Sequence, residues 1–155
     1  MRMKFIALAA VALLAACETA PKDAGTGAGT GAQSSIKPGS AEDFVVNVGD
    51  RVFFGFDRFD LSPEARATLD RQSKWLGSYA SVTVTVEGHS DERGTREYNL
   101  ALGERRANSV KNYLAAKGIS PARVKVVSYG KEKPAVVGST EAAWSQNRRG
   151  VTVVD

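Results

Sequence analysis

The sequence predicts an α+β domain, an α/β sandwich in which one sheet carries helices packed on one face. Three observations predict it. Val82-Thr83-Val84-Thr85-Val86 alternates with period two, as a half-buried strand does. Two longer stretches repeat their apolar residues with helical spacing and carry helix start and stop signals. Along the folded part, strand-like and helix-like segments alternate, so one sheet has to be covered by helices.

Taken in order, Val52-Phe53-Phe54-Gly55-Phe56 reads as a buried strand running into a turn at Phe56-Asp57. Ser62-Pro63 reads as an N-cap followed by proline at the first helical position. It opens a helix to about Tyr79, with Ala65, Leu69 and Leu76 on one face. The strand Val82 to Val86 follows, then a polar, glycine-containing segment from Gly88 to Arg96. A second helix runs from about Glu97 to Lys117 and stops at Gly118, the left-handed residue expected past a helix end. Ser120-Pro121 begins a helical turn, and Val124 to Ser128 is another strand. Glu141 to Gln146 reads as a short helix and Val151 to Val154 as the final strand.

On the second helix, Leu100, Gly103, Ala107, Val110 and Leu114 form one stripe, which is the predicted buried face. Arg105 then points opposite the stripe, to solvent. Arg106 falls about 80° from the stripe centre, at its border with Asn99 and Tyr113.

The N-terminus has a different character. Arg2 and Lys4 precede an unbroken apolar run from Phe5 to Ala16, too short for the roughly 20 residues that cross a bilayer core. It therefore reads as a cleaved secretory leader, residues 1 to 16. Leu14-Ala15-Ala16-Cys17 resembles the bacterial lipobox, in which the cysteine is acylated and becomes the mature N-terminus. An ordinary A-x-A-like cleavage site with a chance cysteine is the alternative. Cys17 is the only cysteine, so an exported thiol here has no disulfide partner within the chain. Burying acyl chains is worth about 0.8 kcal/mol per methylene, which makes several chains on one residue a stable anchor. The residue after the cysteine is Glu18, and by the sorting logic of such lipoproteins a residue other than Asp there favours the outer membrane.

From Glu18 to Asp43 the chain is rich in Gly, Ala, Thr, Ser and Pro, a composition that cannot bury enough apolar surface to order itself. Residues 17 to 43 are thus a lipidated cysteine and a tether, with a root-mean-square span of roughly 25 to 30 Å. Residues 44 to 155 form one domain. The formal charge of +4 falls to +2 when Arg2 and Lys4 leave with the leader. That balance, without basic runs interleaved with aromatics, argues against nucleic acid as a partner.

Several separated motifs are ordered along the domain: Gly88-His89-Ser90-Asp91-Glu92-Arg93-Gly94-Thr95, Glu97-Tyr98-Asn99, Leu102-Gly103-Glu104-Arg105-Arg106-Ala107, Ser128 to Pro134, and Asn147-Arg148-Arg149, with Phe56-Asp57 upstream. Together they resemble the signature of the peptidoglycan-associated lipoproteins within the OmpA C-terminal-like domain family. The resemblance covers essentially all of the folded part and implies that family's fold, with one mixed sheet.

It also implies non-covalent binding of peptidoglycan through the diaminopimelate of the stem peptide, whose side chain ends in an ammonium and a carboxylate on one carbon. Asp91 matches the family's ammonium partner and Arg106 its carboxylate partner. A guanidinium fork grips a carboxylate bidentately, which a lysine does less well. Asn99, Arg93, Phe56 and Asp57 are the expected pocket wall. A structural salt bridge between Asp91 and Arg106, pinning the loop to the helix, is the competing reading. For Arg148 and Arg149, two readings stand: one closes the pocket and the other sits on the surface.

The resemblance further implies an outer-membrane, periplasm-facing lipoprotein that tethers the membrane to the wall. Its implied partners are TolB and the other Tol proteins of the envelope system, with roles in envelope integrity and in outer-membrane constriction at division. A generic wall-binding lipoprotein of the same fold, without Tol partners, is the alternative. No enzyme activity, cofactor or metal is expected. In His89-Ser90-Asp91, neighbouring residues of an extended chain point in alternate directions and cannot form a nucleophile relay. A metal site built from His89, Asp91 and Glu92 lacks a fourth ligand. A flagellar stator of this fold would need a transmembrane helix and outer-membrane protein A a barrel, and no stretch of the sequence reads as either.

Overall fold

A computed structural model describes residues 36 to 155; the expected leader, Cys17 and the tether through residue 35 lie outside the described residues. The packed chain reaches back past the expected boundary at Phe44. Ser40 caps a helical turn, α1 (Ala41–Asp43), which continues as a π-helix, Phe44–Val48. Asp43 holds this segment down by accepting hydrogen bonds from Trp75 Nε1 at 2.8 Å, Gly39 N at 2.8 Å and Asn47 Nδ2 at 2.7 Å. Phe44 is fully buried with its ring 4.9 Å from that of Trp75, a burial worth roughly 2 to 3 kcal/mol.

The remaining elements are β1 (Arg51–Phe53), α2 (Pro63–Ser78), β2 (Val84–His89), α3 (Arg96–Ala116), a 3₁₀ turn Pro121–Arg123, β3 (Val124–Gly130), α4 (Glu141–Asn147) and β4 (Arg149–Val154). Their caps follow the sequence signals. Ser62 Oγ accepts from Ala65 N at the start of α2, and Gly118 past α3 has φ +92°. The sheet order is β1-β4-β2-β3, with β2 and β3 parallel and the other two pairings antiparallel. It is a mixed sheet, and α3 supplies the crossover that a parallel pair requires.

Strand alternation decides which face is covered. Val52, Val84, Val86 and Val124 join Leu69 and Leu76 of α2 and Ala107, Val110 and Leu114 of α3 in one core. Residues of opposite parity, such as Phe53 and Val153, stay 41% and 40% exposed. The polar side chain of Gln72 fits this core because its Nε2 donates to Gly49 O at 2.8 Å and its Oε1 accepts from Thr152 Oγ1 at 3.0 Å.

Four expectations need correction. The first strand ends at Phe53, and Phe56 is exposed, so Val52 to Phe56 is not one buried strand. The second strand lies later than Val82 to Val86 and takes in Gly88 and His89, because β3 and β4 pair with it there. The buried face of α3 is rotated toward Asn99, Leu102 and Arg106, with Leu100 only half-buried, so Arg106 is not at the border of the stripe but within it. Arg149 is no surface residue: it is buried on the far face of the sheet, where its Nη2 donates to Lys133 O at 3.2 Å.

Candidate functional site

The site is assembled where β2 runs out. Between Gly88 and His89 the pairing with β3 slips by one residue, so Gly88 lies opposite Ser128 but His89 opposite Gly130. Such a bulge ends regular pairing and re-aims the chain. Ser90 N donates to Gly130 O at 2.8 Å, and the next residue, Asp91, is delivered to the head of α3. The loop is braced from both sides. Asn99 Nδ2 donates to the carbonyls of Arg93 and Thr95, each at 2.9 Å, and Lys131 Nζ to those of Glu92 and Gly94 at 3.2 and 2.7 Å. Trp144 Nε1 of α4 donates to Glu92 Oε1 at 3.0 Å.

All six residues expected from the sequence, Phe56, Asp57, Asp91, Arg93, Asn99 and Arg106, line one cavity of about 180 Å³, together with Gly94, Tyr98 and Leu102. Asp57 adopts φ +55°, a left-handed conformation that Asp tolerates better than most residues, and accepts a hydrogen bond from the Tyr98 hydroxyl. Phe56, 60% exposed, and Tyr98, 45% exposed, form the rim.

At the floor lies Arg106, with 0% of its surface exposed. Its Nε donates to Arg58 O at 2.8 Å, its Nη1 to His89 O at 2.8 Å and its Nη2 to Gly55 O at 3.0 Å. A guanidinium has five N–H donors, so one on each Nη remains. Among the described residues no carboxylate forms a salt bridge with it. Burial pulls its pKa down to about 10, against the opposing pull of the more distant Asp91 charge.

Asp91 is 4% exposed and pairs with other arginines. Arg93 Nη2 lies 2.5 Å and Arg148 Nη1 3.3 Å from Asp91 Oδ2. Burial alone would raise the Asp91 carboxyl, but the hydrogen bonds from Arg93 outweigh it and hold the group below the usual carboxylate range. The loop-to-helix salt bridge between Asp91 and Arg106 is therefore not formed; the loop is tied to the helix through carbonyls instead. Arg148 does not line the cavity; it lies behind Asp91, bound also to Phe54 O at 3.0 Å and to Glu141 Oε1 at 2.5 Å.

Sequence reasoning did not select Tyr98, Leu102, Trp144 or Glu141. Tyr98 stands inside a motif already singled out, one residue from Asn99, and its exposed aromatic ring was the available signal. Trp144 and Glu141 come from a helix whose placement no local pattern reveals. His89 and Ser90 are almost completely buried and neither lines this cavity, so His89-Ser90-Asp91 presents no relay to it.

A family model described as the OmpA family matches residues 53 to 148, from the end of β1 through α4. The chain belongs to the OmpA family. Among curated relatives, the peptidoglycan-associated lipoprotein of Rhizobium meliloti (strain 1021) is 52% identical over 153 residues, covering 96% of this chain and 85% of that protein. The peptidoglycan-associated lipoprotein of Haemophilus influenzae is 48% identical over 141 residues, covering 91% and 90%. The crystal structure of the peptidoglycan-associated lipoprotein from Burkholderia pseudomallei superposes with a TM-score of 0.67 at 40% identity, over 68% of this chain and 90% of that one. Asp91, Arg106 and Arg148 all lie within the matched OmpA-family span.

Proposed function

We propose that this protein is an outer-membrane lipoprotein, acylated at Cys17, whose periplasmic OmpA-family domain binds peptidoglycan non-covalently and ties the membrane to the wall. Its ligand is the diaminopimelate of the stem peptide. One observation carries the reading: a buried guanidinium with no carboxylate partner among the described residues shares a small cavity with a carboxylate. Leaving a buried charge unpaired is costly, so Arg106 is poised for an anion. The two N–H groups left on its Nη atoms take the ligand carboxylate, and Asp91 takes the ammonium. Hydrogen bonds to charged groups contribute roughly 1.5 to 3 kcal/mol each, enough for two to four of them to support micromolar binding after association costs.

The activity is binding without catalysis. Kinship with the peptidoglycan-associated lipoproteins supports a further reading, that the domain also works with TolB and the other Tol proteins in envelope integrity and outer-membrane constriction. Pull-down from envelope extract, with and without added muropeptide, separates this from a wall-binding lipoprotein that acts alone.

The test of the ligand is calorimetry with stem peptides that differ only at the third residue. Lysine in place of diaminopimelate removes the terminal carboxylate, leaves Arg106 unpaired and should weaken binding at least several-fold. Equal affinity for the two peptides would overturn the zwitterion mechanism.

A further inference from the structure

Building on the reading of Asp91 as the ammonium partner, we propose that the Arg93 side chain is a cation supplied by the protein itself to the ammonium subsite, and that ligands bind by displacing it. A carboxylate offers about four lone-pair directions. On Asp91 all four are taken. Oδ1 accepts from Arg93 N at 3.1 Å and Arg93 Nε at 3.2 Å, and Oδ2 accepts from Arg93 Nη2 at 2.5 Å and Arg148 Nη1 at 3.3 Å. An incoming ammonium finds no free acceptor there.

Of these donors only the Arg93 side chain can leave. The Arg93 N–H belongs to the braced loop, and Arg148 is buried and fixed by Phe54 O and Glu141. The Arg93 side chain remains 31% exposed. Its guanidinium lies between the rings of Phe56 and Trp144, 4.0 Å from each centroid, so it slots between two aromatic faces, and among the described residues no second ion pair locks it. It also stands with Phe56 around a cavity whose two charged anchors, Asp91 and Arg106, are both shielded from solvent in the free protein.

A consequence for selectivity follows. Exchanging Arg93 for a ligand ammonium trades one ion pair on Asp91 for another and yields little net gain. The gain comes from the ligand carboxylate on Arg106. Ligands that carry both charges on one carbon are favoured over those with the ammonium alone.

The experiment is calorimetry of the full-length protein in detergent, wild type and Arg93→Met, with a diaminopimelate-containing stem tetrapeptide and with the same peptide acetylated on its side-chain amine. Arg93→Met is expected to bind the unmodified peptide several-fold more tightly than the wild type and to show no gain for the acetylated one. Equal or weaker binding of the unmodified peptide by Arg93→Met overturns the proposal, as does an equal gain for both peptides. A second measurement needs no variant: in the wild type, the ¹⁵Nε–H resonance of Arg93 should leave its hydrogen-bonded position when the peptide is added, and an unmoved resonance in the bound state overturns the proposal. A wild type that binds neither peptide overturns the diaminopimelate reading itself, and the inference with it.

Discussion

Gly88 of β2 and Gly103 of α3 meet backbone to backbone: a methyl group on Gly88 would stand 1.8 Å from the Gly103 carbonyl oxygen, and one on Gly103 would stand 2.3 Å from Ser128 Oγ. This contact seats α3 on β2 and, one helical turn later, brings Arg106 to the carbonyl of His89. Gly103→Ala is expected to lower stability by about 3 kcal/mol, at the upper end of overpacking costs, because backbone must shift. Gly77→Ala in α2 meets open space and is expected to stabilise by about 0.5 to 1 kcal/mol. Urea midpoints of the two variants check both signs, and sacculus binding should fall only in Gly103→Ala.

Neighbouring arginines on α3 should behave differently. Arg105 is exposed, its guanidinium carbon 5.5 Å from the Phe59 ring centroid and 5.9 Å from that of Tyr98. Arg105→Ala is expected to change stability by no more than about 1 kcal/mol and to leave sacculus binding near normal. Arg106→Ala removes the donors to three carbonyls as well as the proposed carboxylate partner, so it should cost on the order of 3 kcal/mol of stability in addition to binding. Denaturation and co-sedimentation on the same preparations measure the two losses separately.

His89 should make the fold sensitive to mild acid. Burial, then the positive charge of Arg149, lowers its pKa from 6.5 to about 4, although Glu87 Oε2 lies 3.6 Å from its Nε2. Between those values the unfolded chain holds a proton that the folded one does not. Stability is therefore expected to fall as pH drops from about 6.5 to about 4, by up to about 3 kcal/mol in total. Asp91, with its lowered pKa, keeps its contribution until more acidic pH. His89→Gln should flatten the slope of stability against pH in the upper window and leave the lower one.

The anchor is tested apart from the domain. No helix among the described residues is long and apolar enough to cross a membrane. Cys17→Ala is expected to leave the thermal transition of the domain unchanged while the protein no longer floats with outer-membrane vesicles freed of sacculi. Continued flotation would rule out the acyl anchor.

The parts of the fold legible in the sequence are those set by local chemistry. Ser62 and Gly118 bound helices because capping oxygens and left-handed backbone are short-range needs, and Val84 and Val86 point inward as their alternation predicts. The start of the domain was not legible. Ser40 to Asp43 continues the small, polar composition of the tether, and what fastens it is Trp75, 32 residues away from Asp43. Arg106 illustrates the same limit within the site: periodicity puts a charge at the edge of a buried stripe, and only the convergence of the Gly55, Arg58 and His89 carbonyls takes it inside. The six site residues are legible only through the family motifs; the pairing of Asp91 with Arg93 is local, two residues along one loop, whereas its pairing with Arg148 depends on how α4 docks.

The fastening of Asp43 and Phe44 to α2 has a mechanical consequence. Tension arriving along the chain upstream of Gly39 is borne first by the contacts with Trp75, then by β1, an edge strand held to β4 by three residue pairs, Arg51 to Val151 through Phe53 to Arg149. Directly beyond β1 come Gly55 and Arg58, whose carbonyls hold Arg106 in place. Peeling this strand would therefore take from Arg106 two of its three carbonyl partners while the β2-α3-β3 core was still intact, so the proposed binding of peptidoglycan would weaken under load ahead of global unfolding.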